Sequence, residues 1–244
     1  NYARAFMSKD TVQKGDRLRL RLINTATDRI FPIGFLGATG KIVALDGMPL
    51  NEPRVFESVE LAPAQRADLI VDVTENIEIG MLTRDGTFPL GQLSVEGQNT
   101  DRQTSPIAPL PMNKIAKPEI PTQNLTLNMM GGAMSRRHKG SDIWAFNDIS
   151  GLDDEPFGSF KRGETARITL VNDTSFPHGI HLHGHHFYEV SKDGSLGDLR
   201  DTTLVEPRES IDIVCVFDNP GKWLLHCHML SHQAAGMKTW IKVS

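Results

Sequence analysis

Eight of the nine histidines lie between His178 and His232, and one of the two cysteines lies among them. They fall in two short runs. The first holds His178, His181, His183, His185 and His186. The second reads His226, Cys227, His228, then His232 and Met237. One thiolate, a histidine five positions on and a methionine five beyond that supply most of a blue-copper site. Such a site takes two imidazoles and a thiolate in a plane, with a weak axial thioether. A loop after Cys227 can return His232 and Met237 to the same metal. The second imidazole must come from elsewhere, and His178 is the candidate.

Strand geometry sorts the remaining histidines. Neighbouring side chains on an extended strand point to opposite faces. If Cys227 faces one metal, His226 and His228 face away from it. His181 and His183 share a face, and His178, an odd number of positions earlier, falls on the other. Both runs therefore divide alike: His178, Cys227, His232 and Met237 on one side, His181, His183, His226 and His228 on the other. A structural zinc site leaves Met237 and this partition unexplained. The two cysteines show no disulfide framework. Cys215 shares parity with Ile211, Ile213 and Phe217 and is expected as a buried free thiol. His185 and His186 are expected to hydrogen-bond rather than to ligate. His138, in a loop carrying Met129, Met130 and Met134, could hold Cu(I), but a flexible loop is the simpler reading. Asn172 and Asp173 read as a turn before His178, with Asp173 a candidate for a substrate edge.

The elements that must position these residues are strands. Residues 17–23 alternate arginine with apolar residues, the period of a strand with one wet face. Residues 41–45, 56–61, 67–73, 81–84 and 90–95 read as further short strands, and no stretch of residues 1–98 holds a helical period. Turn signals between them suggest a β-sandwich. Residues 99–122, rich in proline and polar side chains, read as an extended linker. In residues 123–244, strands are expected at 125–127, 166–171, 179–190, 210–217, 223–228 and 238–243, a second sandwich. The chain has 244 residues, 39% hydrophobic and 23% charged, with a formal net charge of -4. That composition is globular, gives no reason to expect nucleic acid, and offers no apolar run long enough to span a bilayer. No signal peptide opens it.

The two histidine runs resemble those of the C-terminal cupredoxin domain of multicopper oxidases, the laccase-like family. Residues 15–24, 44–50 and 61–68 resemble, more loosely, the family's middle domain. The resemblance implies an all-β chain of two cupredoxin-like Greek-key β-sandwich domains, the first lacking its N-terminal part. It implies that His178, Cys227, His232 and Met237 hold type 1 copper. It implies that His181, His183, His226 and His228 form half of a type 2 and type 3 trinuclear cluster. Single electrons from a small reducing substrate (a phenol, an amine or a metal ion) would pass through Cys227, His226 and His228, the catalytic residues, to reduce dioxygen to water. A blue-copper electron carrier is the alternative, but it has no use for His226 and His228. Copper nitrite reductases lack those paired histidines. The cluster needs four more histidines, and none precedes His138. The chain is therefore expected to be a fragment whose partner is an N-terminal cupredoxin domain, inactive in oxygen reduction alone. The family implies a periplasmic or secreted protein. Gly179 departs from the family's usual proline. Ser231 departs from an acid found in several bacterial members, so proton delivery there would need another route.

Overall fold

The computed structural model of the chain describes residues 11–101, 104–132 and 142–244. Two compact units divide them. One takes the described residues of Asn1–Ala26 together with Ile30–Asn113; the other takes Thr27–Arg29 and the described residues of Lys114–Ser244. His138 and Met134 lie outside the described residues. Residues 104–122 carry no helix or strand. No helix among the described residues is long and apolar enough to cross a membrane.

The first unit is all strand: β1 (Val12–Lys14), β2 (Arg17–Ile23), β3 (Phe31–Leu45), β4 (Met48–Val55), β5 (Ser58–Leu61), β6 (Arg66–Thr83), β7 (Gly86–Leu93) and β8 (Val95–Gln98). β2, β6, β3 and β4 lie side by side, β5 pairs with β3 and β7 with β6, while β1 pairs with β8. The alternation in β2 works as expected. Its leucines pack on a core of Leu45, Leu61, Leu69, Val71 and Ile77. On the other face the Arg17 guanidinium donates to both carboxylate oxygens of Asp72, at 2.6 and 2.9 Å, and Arg19 pairs with Asp68. Several expected boundaries are wrong: residues 90–95, read as one strand, divide between β7 and β8. Residues 41–45 are only the end of β3, and residues 67–73 and 81–83 belong to one 18-residue strand, β6. Glycines hid the continuity. Gly37, at φ +77°, would bring a Cβ within 1.9 Å of the Asn76 carbonyl, and Gly40 would meet the Ile70 carbonyl at 2.2 Å. Glycine reads as a strand breaker in sequence, but here it permits close strand approach at a bulge.

The second unit has two sheets. One is ordered β10 (Trp144–Phe146), β9 (Gln123–Gly131), β12 (Glu164–Asn172), β17 (Ser210–Phe217), β14 (Phe187–Val190), β15 (Leu196–Arg200). The other is ordered β11 (Gly158–Phe160), β19 (Lys238–Val243), β18 (Gly221–Cys227), β13 (His178–Leu182), β16 (Thr202–Val205). Neighbours are rarely consecutive in sequence, the mark of Greek-key connections. Leu127, Ile168, Leu170 and Ile213 of the first sheet are fully buried, as are Ile180, Leu225 and Ile241 of the second. The Phe160 and Phe217 rings, one from each sheet, stack with centroids 3.7 Å apart. That is the two-layer core of a sandwich.

Residues 179–190 are not the single strand expected. The chain leaves β13 at Leu182, turns through residues 183–186, and joins the other sheet as β14. Gly184 makes the turn at φ +72°, with the Trp223 ring where a Cβ would stand, 2.5 Å away. A five-residue helix, α1 (Leu230–Ala234), follows β18 and carries His232. It is too short to leave a periodic trace in the sequence.

Candidate metal centre

β13 and β18 are antiparallel neighbours, with Ile180 opposite Cys227 and His181 opposite His226. Residues directly opposite share a face, and alternate residues along a strand do so too. Cys227 and Ile180 therefore lie on one face together with His178, and His181 and His226 on the other. His178, Cys227 and His232 bring one nitrogen or sulfur each to within 4.8 Å of one another. The Cys227 sulfur is 3.7 Å from Nδ1 of His178 and 3.7 Å from Nδ1 of His232, and those nitrogens are 3.1 Å apart.

The loop from Cys227 to Met237 closes on itself. The His232 carbonyl accepts from the Met237 amide at 3.0 Å, and the Met237 carbonyl accepts from the Cys227 amide at 3.1 Å. Met237 is fully buried. Gly236, at φ +114°, allows the return; a Cβ there would stand 1.9 Å from Ser150 Oγ and 2.4 Å from the Trp144 carbonyl. Trp144 covers the imidazoles, its ring centroid 4.3 Å from that of His232 and 5.0 Å from that of His178. No spacing in the sequence marked this tryptophan, which comes from β10.

Hydrogen bonds assign the ring nitrogens. The Thr174 hydroxyl lies 2.8 Å from Nε2 of His178. Its own proton has oxygen acceptors at Asn172 Oδ1, 2.7 Å, and at the Phe176 carbonyl, 3.0 Å. Thr174 therefore accepts from His178 Nε2–H, which leaves Nδ1, the atom facing Cys227, with its lone pair free. Asn172 fastens this loop, its amide donating to the carbonyls of Phe176, Val205 and Glu206 at 2.7 to 3.0 Å. The expected turn at Asn172 is present, its Oδ1 accepting from the Thr174 amide at 3.0 Å, and the same side chain is a buried clamp. Asp173 pairs instead with Arg208 at 2.5 Å.

On the opposite face four imidazoles gather. Nε2 of His183 and Nε2 of His226 are 3.0 Å apart. The His181 ring centroid is 4.7 Å from that of His183 and 5.6 Å from that of His228, and His226 and His228 are 5.3 Å apart. His181 Nδ1 donates to the Asp201 carbonyl at 2.9 Å and His226 Nδ1 to the Cys227 carbonyl at 2.9 Å, so both turn Nε2 toward the group. His185 stands apart. Its Nδ1 donates to the His183 carbonyl at 3.2 Å and its Nε2 accepts from the Asn219 amide at 3.4 Å, leaving no lone pair for a metal. His186 lies 3.8 Å from Asp201. Cys215 is buried and free, 3.5 Å from the His186 carbonyl.

Burial sets the protonation states. Desolvation, helped by the neighbouring imidazole, pulls His178 down to about 3, and desolvation likewise pulls His226 to about 3. His183 and His232 are lowered by the same cause. All four are neutral near neutral pH, the form that binds metal. Desolvation pushes the Cys227 thiol up to about 12, so a metal taken there must displace its proton. A soft sulfur and two imidazole nitrogens, buried and converging, suit copper.

Two outcomes are expected. Thr174→Val removes the acceptor that orients His178 and should weaken copper retention about 10–100-fold while costing roughly 1–3 kcal/mol of stability. Chelator competition and thermal melting measure the two effects. Second, the folded state holds His178 and His226 at about 3 against an ordinary 6.5. Folded protein therefore binds fewer protons than unfolded, and this stability is present above about pH 6.5 and lost as pH falls toward about 3. Metal-free protein should lose roughly 2 kcal/mol per imidazole between about pH 7 and about pH 5. In His226→Asn the slope of stability against pH over that range should be shallower.

Family profiles described as multicopper oxidase match residues 119–244 and residues 3–80. Multicopper oxidase MmcO of Mycobacterium tuberculosis is 30% identical over 256 residues, 92% of this chain and 46% of that protein. Laccase-1 of Melanocarpus albomyces is 24% identical, across 93% of this chain and 48% of that protein. The crystal structure of Lac15 from a marine microbial metagenome is 54% identical with a TM-score of 0.82, covering 96% of this chain and 57% of that one. The chain spans about half the length of the curated relatives it matches. A buried two-histidine, one-cysteine site, with four further histidines gathered on the other side, lies within the profile match to residues 119–244, which spans more than half of the sequence: the chain belongs to the multicopper oxidase family.

Proposed function

We propose that this chain is the part of a laccase-like oxidase that takes up electrons and passes them on. His178, Cys227, His232 and Met237 would hold copper at the mononuclear type 1 site. His181, His183, His226 and His228 form half of a trinuclear type 2 and type 3 site. Bound copper would supply one-electron chemistry at the first site and four-electron reduction of dioxygen to water at the second. The observation that supports this reading is the register of β13 and β18, in which Cys227 lies opposite Ile180 and His226 opposite His181, so that thiol and neighbouring imidazole face opposite ways.

Each residue then has a task. His178 and His232 hold their nitrogens beside the Cys227 sulfur, and Trp144 keeps water from the two rings. Cys227 would hold copper through sulfur on one side, while its chain neighbours His226 and His228 would hold copper on the other. Donor and acceptor sites are thus joined by a few covalent bonds. The bond from His226 Nδ1 to the Cys227 carbonyl, 2.9 Å, adds a second connection between the same two residues. The four remaining histidines of the trinuclear site come from an N-terminal cupredoxin domain beyond these 244 residues. The reducing substrate is a small phenol, amine or metal ion. By the family resemblance the protein works in the periplasm or outside the cell.

Cys227→Ser tests the assignment directly. The copper-loaded protein should show an intense blue absorption that this change abolishes; colour that survives it sinks the type 1 reading. Met237→Leu should keep the colour and raise the reduction potential, because the axial donor is lost. An unchanged potential would remove Met237 from the metal.

A further inference from the structure

Helix α1 carries His232 on a single turn, and a short helix leaves its first amides without partners. Met229, the residue before α1, provides no side-chain acceptor. The acceptors come instead from residues 27–29, a segment that packs with the second unit although it lies about two hundred positions earlier in the chain. The Thr27 carbonyl accepts from the Leu230 amide at 2.9 Å. The Asp28 carboxylate accepts from the Ser231 amide at 3.1 Å and from the Ser231 hydroxyl at 2.5 Å. Burial opposes the charge on Asp28, but the bonds from Ser231 and Thr27 outweigh it and hold its carboxyl below the usual range. An anion is therefore fixed to the residue next to His232. Ser231 is the position where several bacterial members of the family carry an acid.

We infer that Asp28 is a positioning residue for the type 1 site: it anchors the His232 loop through Ser231, and its negative charge holds the site's reduction potential down. The inference rests on the type 1 reading of His178, Cys227 and His232. Its physical content is twofold. A carboxylate satisfying two donors of Ser231 restricts the backbone that aims His232. A fixed negative charge close to a bound cation favours the more positive, oxidised state. The carboxylate oxygen that accepts both bonds is committed to Ser231, so the hold on the loop does not depend on a reducing substrate being bound.

Two variants separate geometry from charge. Asparagine can still accept from Ser231 but carries no charge; alanine does neither. The full protein, copper-loaded, would be compared as unaltered, Asp28→Asn and Asp28→Ala by reduction potential and visible spectrum. Amide hydrogen exchange at Leu230 and Ser231 would be followed in metal-free samples. Asp28→Asn should shift the potential upward with the blue band and the exchange rates unchanged. Asp28→Ala should shift the potential upward, alter the band and speed exchange at Ser231 at least tenfold. A potential unmoved in both variants overturns the electrostatic role. Exchange unmoved in Asp28→Ala overturns the anchoring role. A rise in KM for a phenol with potential and spectrum constant would make Asp28 a substrate contact instead and overturn the inference. If the unaltered protein shows no blue band, the type 1 reading has failed, while the exchange comparison still decides whether Asp28 holds the loop.

Discussion

The pairing of two short strands governs this protein's chemistry. With Ile180 opposite Cys227 and His181 opposite His226, the pleat sends His178 and Cys227 to one face and His181 and His226 to the other. A slip of one residue would exchange every side chain between the faces and dissolve both clusters. Register here is therefore chemical as well as mechanical. It is secured from both sides, since β18 also pairs with β19 and β13 with β16, and the intervening Ile180, Leu182 and Leu225 are buried with almost no exposed surface.

On that frame hydrogen bonds and packing orient the donors. Thr174 turns His178 by one nitrogen, carbonyls of Asp201 and Cys227 turn His181 and His226, and Trp144 lies over the rings of His178 and His232. Burial keeps the imidazoles neutral and the Cys227 thiol protonated. Such a site resists protons but admits a cation able to displace one from sulfur, which is the selectivity of a soft metal centre. The surroundings of the ligands thus contribute as much as the ligands do.

Some of this was legible in the residues. Periodicity placed β17 at residues 210–217 and β19 at 238–243 to the residue, and strand parity separated His178 from His181 and Cys227 from His226, while His183, His228 and His232 lie off the strands. Glycines misled where they sat at close approaches: Gly37 and Gly40 hid the length of β3, and Gly184 was read through as strand when it is the turn that carries the chain to the other sheet. Asn172 read as a turn because asparagine and aspartate usually make one, and its Oδ1 does accept from the Thr174 amide. Its side chain is also a buried clamp, because the distant Val205 and Glu206 carbonyls converge on it together with that of nearby Phe176.

By itself the sequence determined the donor types, their spacing, and the alternation that divides them, because these are local properties of an extended chain. It could not determine which distant residues complete the surroundings. Trp144 and Asp28 reach the His232 loop by folding, the latter across 203 positions, and no local pattern encodes such a meeting. Tertiary structure decided those contacts because only the packed sheets bring the segments together. It decided the protonation states too, because burial is a property of the whole fold.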